Sequence, residues 1–189
     1  HSKTTTVIYG LDADLIMLSF VSMKDKIYLL RERQSFDKSY TKDKMSYNLL
    51  DIDELKNGLV KYTEENNEIE IKNKQQYLDD FVFFTFMLGN DFLPHINSLS
   101  IKNDGIEMLI KEYIGMRKKM NSKLVSRKYM KINTNALYNM LKNVVKKEND
   151  LVKETSKKIY VNKEQQLKYH HKNWKNNYYY HFFRTDSSN

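Results

Sequence analysis

Residues Val7 to Leu18 read VIYGLDADLIML, and this stretch constrains the fold more than any other in the chain. A β-branched and aromatic run, TTTVIYG from Thr4 to Gly10, stops at a glycine. Two aspartates, Asp12 and Asp14, follow one residue apart, and an apolar run then resumes. The first part reads as a buried strand, and DADLIMLSFVSM as a short helix carrying its acids at the N-terminus. A buried, unpaired carboxylate is costly and normally neutralises or finds a cation. Either these carboxylates reach the surface, or something positive is waiting for them.

The rest of the chain extends this α/β beginning and then turns wholly helical. KIYLLRER and YNLLDI read as further strands, and DIDELKNGLVKYTEEN as a helix opened by acids. ENNEIEIKNK is a polar connection. QQYLDDFVFFTFMLG is apolar all round and ends in Gly89, so it is expected to be the most buried helix, with the glycine as its C-cap. Pro94 enforces a turn in NDFLPHINSL. DGIEMLIKEYIGM is an amphipathic helix, followed by a very basic connection, RKKMNSKLVSRKYMK. NTNALYNMLKNVVKKENDLVKE is a long helix capped by Asn133 or Thr134. KEQQLKYHHKNWKNNYYYHFF is helical and aromatic. The order places a boundary near Met120, with a doubly wound sheet and its helices before it.

Composition limits the partners. The 189 residues carry a net charge of +8, which favours polyanions such as nucleic acid or a membrane surface without choosing between them. No cysteine is present, so disulfides and thiolate zinc sites are excluded and a reducing compartment fits. A cytoplasmic location is expected, with a nuclear or virion-associated one as alternatives. No apolar run is long enough to span a bilayer, and no signal peptide is visible. The first residue is His1 rather than Met, so the chain reads as a piece of something longer.

In open α/β sheets, ligands bind outside the carboxyl ends of the strands. Asp12 and Asp14 sit two and four residues past Gly10, where ligands for an ion are expected. Asp91 has a similar setting, after GN at the end of the apolar helix and between Gly89 and Pro94. Taken singly, each aspartate reads as a helix cap or dipole partner. Three acids emerging from apolar elements look instead like oxygen ligands for a hard cation, Mg2+ with Mn2+ as a substitute. Two such ions about 3.5–4 Å apart can clamp the attacking and leaving oxygens of a phosphodiester. Asp79 and Asp80 read as dipole partners within the start of their helix. The basic run reads as a solvated linker or, alternatively, a set of phosphate contacts. The aromatics from Trp174 to Phe183 read as core or interface, or alternatively as a base-stacking platform. His95 reads as a structural turn residue, or alternatively as one near the site.

These motifs carry a resemblance. YGLDADLI at Tyr9–Ile16, LLRE at Leu29–Glu32 and DDF…GNDFLPH at Asp79–His95 stand in the order found in the XRN family of 5′→3′ exoribonucleases. SIKNDGIEMLIKEY, KINTNALYNMLKNVVKKENDLVKE and WKNNYYYHFF are also similar to family segments, so the resemblance covers nearly the whole chain. It implies a PIN-like, flap-nuclease-superfamily fold. Residues 1–120 would be the C-terminal part of the nuclease domain and residues 121–189 the start of a helical domain.

The activity implied is Mg2+-dependent, processive removal of nucleotides from single-stranded RNA with a 5′-monophosphate. Asp12 and Asp14 match the two metal-binding acids of GLDAD, and Asp91 matches that of GND. The family's further acids and its 5′-phosphate pocket lie in an N-terminal half that this sequence does not contain. That half is an implied partner, and the 189 residues alone are expected to be catalytically weak or inactive. RKKMNSKLVSRKYMK departs from the family's glycine-containing turn at that place. The same fold serves structure-specific 5′ flap DNA nucleases, and a catalytically inactive RNA-binding relative is a third reading. The Lys and Asn richness suits an AT-rich genome, such as that of a giant virus or a protist.

Overall fold

The computed structural model describes residues 4–33, 46–96, 99, 104–146 and 174–185. It is mixed α/β at the start and helical afterwards. The chain divides into two compact units. The first is His1–Phe83 with Val125–Lys131, and the second is Phe84–Leu124 with Ile132–Asn189.

In the first unit, strands β1 (Thr6–Tyr9), β2 (Ile27–Glu32) and β3 (Tyr47–Asp51) form a sheet in the order β1-β2-β3. β1 runs parallel to β2, with Ile8 opposite Leu29, and β3 runs antiparallel, with Leu50 opposite Leu29. Helix α1 (Asp14–Val21) connects β1 to β2, and α2 (Ile52–Asn67) follows β3. Both helices contact β2. Their side of the sheet is dry: Ile27 and Leu29 are buried, with Phe20 of α1 and Ile52 of α2. The opposite face keeps Val7, Tyr9, Tyr47 and Leu49 exposed. On it Tyr9 packs edge-on to Tyr47, with ring centroids 6.3 Å apart, and donates its hydroxyl to the Glu32 carboxylate. That bond raises the Tyr9 phenol above its ordinary pKa.

Helix α2 starts where the sequence says it should. Asp51 ends β3 and caps the helix, accepting from the Asp53 and Glu54 backbone N–H groups. Helix α3 (Lys74–Thr85) is buried at every residue from Tyr77 to Val82, as its all-round apolar pattern requires. Within the first unit, Phe81 packs near Phe20 and Tyr77, at centroid distances of 6.3 and 6.1 Å.

Asp79 and Asp80 do not serve as dipole partners at a helix start. The helix begins at Lys74, so both lie in its interior, and both are buried. They anchor a hairpin, β4 (Val125–Ser126) and β5 (Lys131–Ile132), drawn from the second half of the basic run and the residue after it. Asp80 accepts the Val125 N–H at 2.9 Å, and Gln76 donates to the Val125 carbonyl at 3.0 Å. Arg127 forks onto both oxygens of Asp79, which pushes its guanidinium pKa further up. The basic run is therefore no plain linker. Its first four residues, Arg117 to Met120, form the last turn of α4 (Gly105–Met120).

The second unit centres on α4 and α5 (Thr134–Lys146). α5 buries Ala136, Met140 and Val144, one turn apart each, and α4 buries Leu109, Ile110, Tyr113, Ile114 and Met116. Phe84 stacks near Tyr113 at 5.3 Å. Asn143 donates to Glu112 between the two helices at 2.9 Å. Of the two expected caps for α5, Asn133 takes the role, accepting the Ala136 N–H at 3.0 Å. The expected continuation of α5 beyond Lys146 lies outside the described residues. Of the final aromatic helix, α6 (Trp174–Phe183) is described.

Candidate functional site

Asp12 stands in the turn between β1 and α1, and Asp14 opens α1, at the carboxyl end of β1. The ladder continues one residue past the strand, because the Gly10 N–H donates to the Leu30 carbonyl at 3.1 Å. A Cβ on Gly10 would lie 2.5 Å from Leu15 Cδ1, the end of a side chain that would have to turn aside. Arg31 reaches from β2 and donates to the Leu11 carbonyl, which fixes the chain just before Asp12. Asp12 is exposed, and its Oδ1 accepts the Asp14 N–H at 2.8 Å. The second oxygen of Asp12 accepts no bond among the described residues. Asp14, the first residue of α1, is half-buried.

Asp91 belongs to the second unit and is held in a different way. The α3 helix tightens into a 3₁₀ turn, Phe86–Leu88, and Gly89 leaves it at φ 83° and ψ 159°. That region is accessible essentially only to glycine. It differs from the left-handed helical cap that a C-terminal glycine usually adopts. Asn90 then closes a turn over Asp91. Its side-chain oxygen accepts the Phe92 and Leu93 N–H groups at 3.0 and 2.8 Å, and its own N–H donates to the Leu93 carbonyl at 3.0 Å. The Ile96 N–H donates to the Met87 carbonyl and closes the loop at its base. Asp91 is exposed at the apex, and its carboxylate has no hydrogen-bond or ionic partner among the described residues. His95 holds the loop through its backbone: its carbonyl accepts the Tyr178 hydroxyl at 2.7 Å.

The structure thus brings Asp12 and Asp14 together in one turn and presents Asp91 on a separate loop. Within each unit the donor chemistry suits a hard cation. Asp12 and Asp91 are exposed oxygen donors, Asp14 is half-buried, Asp91 is uncommitted, and Asp12 has one oxygen to spare. Three residues that shape these turns have no role at the acids in the sequence reading. Asn90 has a local signal, since Asn at the start of a turn caps backbone N–H groups two and three residues on. Arg31 stands in the LLRE motif, where nothing marks its target, 20 residues earlier. Tyr178 is one of several tyrosines in an aromatic run.

Two family models match the chain. One, described as the XRN 5′-3′ exonuclease N-terminus, matches residues 1–33, which include Asp12 and Asp14. The other, described as the Xrn1 helical domain, matches residues 71–188, which include Asp91. The 5′-3′ exoribonuclease 2 of Yarrowia lipolytica is 34% identical over 119 residues, covering 60% of this chain and 12% of that protein. A protein of Acanthamoeba polyphaga mimivirus named as a 5′-3′ exonuclease is 28% identical over 162 residues, covering 81% of this chain and 25% of that protein. The 5′-3′ exoribonuclease 1 of Saccharomyces cerevisiae is 31% identical over 119 residues, covering 60% of this chain and 8% of that protein. The chain therefore spans at most a quarter of these relatives' lengths. The match over residues 71–188, together with that over residues 1–33, shows that the chain belongs to the XRN family of 5′-3′ exonucleases.

Proposed function

We propose that this chain is part of a Mg2+-dependent 5′→3′ exoribonuclease, with Mn2+ able to substitute. Its substrate is single-stranded RNA carrying a 5′-monophosphate, and its reaction is phosphodiester hydrolysis by two-metal chemistry. The observation that carries this reading is the acid pair in the β1–α1 turn, where an open α/β sheet binds its ligands. The names of the relatives supply the direction of attack and the RNA substrate.

Asp12, Asp14 and Asp91 are the residues that would hold the metal. Bound Mg2+ supplies a lowered pKa for the attacking water and charge stabilisation for the departing oxygen. The chain's own residues position the ligands. Arg31 fixes Leu11 ahead of the acid pair, and Asn90 keeps Asp91 at its turn apex. The net charge of +8 favours holding the phosphate backbone while the acids hold the metal.

The doubly wound sheet belongs to the same proposal. Helices α1 and α2 cover one face of the three strands, and the exposed Val7, Tyr9, Tyr47 and Leu49 form an apolar surface on the other. A second helix layer, from the remaining N-terminal half of the nuclease domain, would bury that surface.

Substrate competition tests the reading. The intact protein, in Mg2+, is offered 5′-monophosphorylated RNA, 5′-hydroxyl RNA and a 5′ flap DNA together. Preferential loss of the phosphorylated RNA from its 5′ end is expected. Preferential flap cleavage would move the protein to the DNA enzymes, and binding without cleavage would make it an inactive RNA-binding relative.

A further inference from the structure

We propose that Tyr178 is a positioning residue for Asp91, acting through the His95 carbonyl; this rests on the reading of Asp91 as a metal ligand. The loop from Gly89 to Ile96 has no regular secondary structure. On its N-terminal side it is held by the Asn90 turn and the unusual backbone of Gly89. Its C-terminal side has the Ile96–Met87 backbone bond and, among the described residues, one side-chain tether from a distant element, the 2.7 Å bond donated by Tyr178. Pro94 has no N–H to contribute.

Tyr178 is suited to that task. It lies on α6, 83 residues further along the chain, and is half-buried. Its ring is lodged edge-on against Tyr179 and Phe183, with centroids 5.7 and 6.2 Å away. The ring therefore has neighbours that fix it, while the hydroxyl is aimed at the loop. A carboxylate misplaced by about 1 Å can cost a site much of its function. A tether four residues after Asp91 limits that displacement. The aromatic segment thereby gains a function at the acid loop, distinct from stacking on bases.

The test is a Mn2+ titration of the intact protein without RNA, followed by electron paramagnetic resonance, with hydrogen exchange at the Phe92 and Leu93 amides. Tyr178→Phe removes the hydroxyl and keeps the ring. It is expected to weaken Mn2+ about two- to tenfold, the span of one hydrogen bond, and to speed exchange at both amides. Tyr179→Phe is the matched control, because Tyr179 makes no hydrogen bond among the described residues; it should behave as wild type. Equal weakening by both variants would overturn the proposal in favour of general damage to the aromatic cluster. Asp91→Ala separates the two levels. If it abolishes Mn2+ binding while Tyr178→Phe matches wild type in both readouts, the positioning role alone fails. If Asp91→Ala binds Mn2+ as wild type does, the ligand reading fails and the positioning role falls with it.

Discussion

Gly89 shows how much a single residue decides at this site. Its backbone angles belong to glycine, and a Cβ there would lie 2.8 Å from the His95 nitrogen and 2.9 Å from the His95 Cβ. The obstacle is largely backbone, so it cannot swing away. Gly89→Ala is expected to lower unfolding stability by about 1–3 kcal/mol, read by urea denaturation of the intact protein. A loss within about 0.5 kcal/mol, the range of an ordinary surface substitution, would mean the loop relaxes freely. The glycine is legible in the sequence as a helix stop, but its conformation is not, because that depends on where His95 returns. The same holds for the acids. Asp12, Asp14 and Asp91 are visible as acids next to apolar runs. That Asp12 spends one oxygen on the Asp14 N–H, and Asp91 none, required the turn geometry.

Among the elements, the long periodic ones are readable and the short ones are not. Strands β1 to β3 and helices α1 to α5 lie where β-branched runs and apolar spacing place them. The β4–β5 hairpin escapes because its strands are two residues each and its sequence, VSRKYMKI, looks like a solvated basic linker. What builds it is long-range. Asp79 and Arg127 are 48 residues apart, and Asp80 and Val125 are 45 apart. The two anchors should differ in worth. Asp80 is fully buried and satisfies a backbone N–H that water would have to replace. Asp80→Ala is expected to cost about 1–3 kcal/mol. The Arg127 side chain is 43% exposed, so Arg127→Ala should cost about 1 kcal/mol or less. Chemical denaturation of both variants checks the order; Arg127→Ala costing more would reverse the assignment of the main anchor.

For the molecule as a whole, stability should fall in strong alkali, and one group makes a definable contribution. Tyr77 of α3 is buried and shares a 2.6 Å hydrogen bond with Thr63 of α2. Burial pushes its phenol up to about 12, against an opposing pull from the Thr63 bond. A folded pKa raised above the unfolded value of about 10 means that the folded state keeps a proton the unfolded state releases. The contribution is fully present below pH 10 and is lost as pH rises towards 12. Between pH 9 and 11.5, wild type should lose about 2 kcal/mol more than Tyr77→Phe, measured by urea unfolding at each pH. Equal losses would show that Tyr77 titrates normally. None of the described helices is long and apolar enough to cross a membrane.

The proposed role of Asp12, Asp14 and Asp91 in holding the metal for hydrolysis underlies the whole reading. Its most direct test is the Mg2+-dependent degradation rate of 5′-monophosphorylated RNA by the intact protein, wild type against each alanine variant. A loss of about 100-fold or more is expected for each, with RNA binding retained in the absence of metal. Undiminished degradation by Asp91→Ala, or by Asp12→Ala with Asp14→Ala, would contradict the claim.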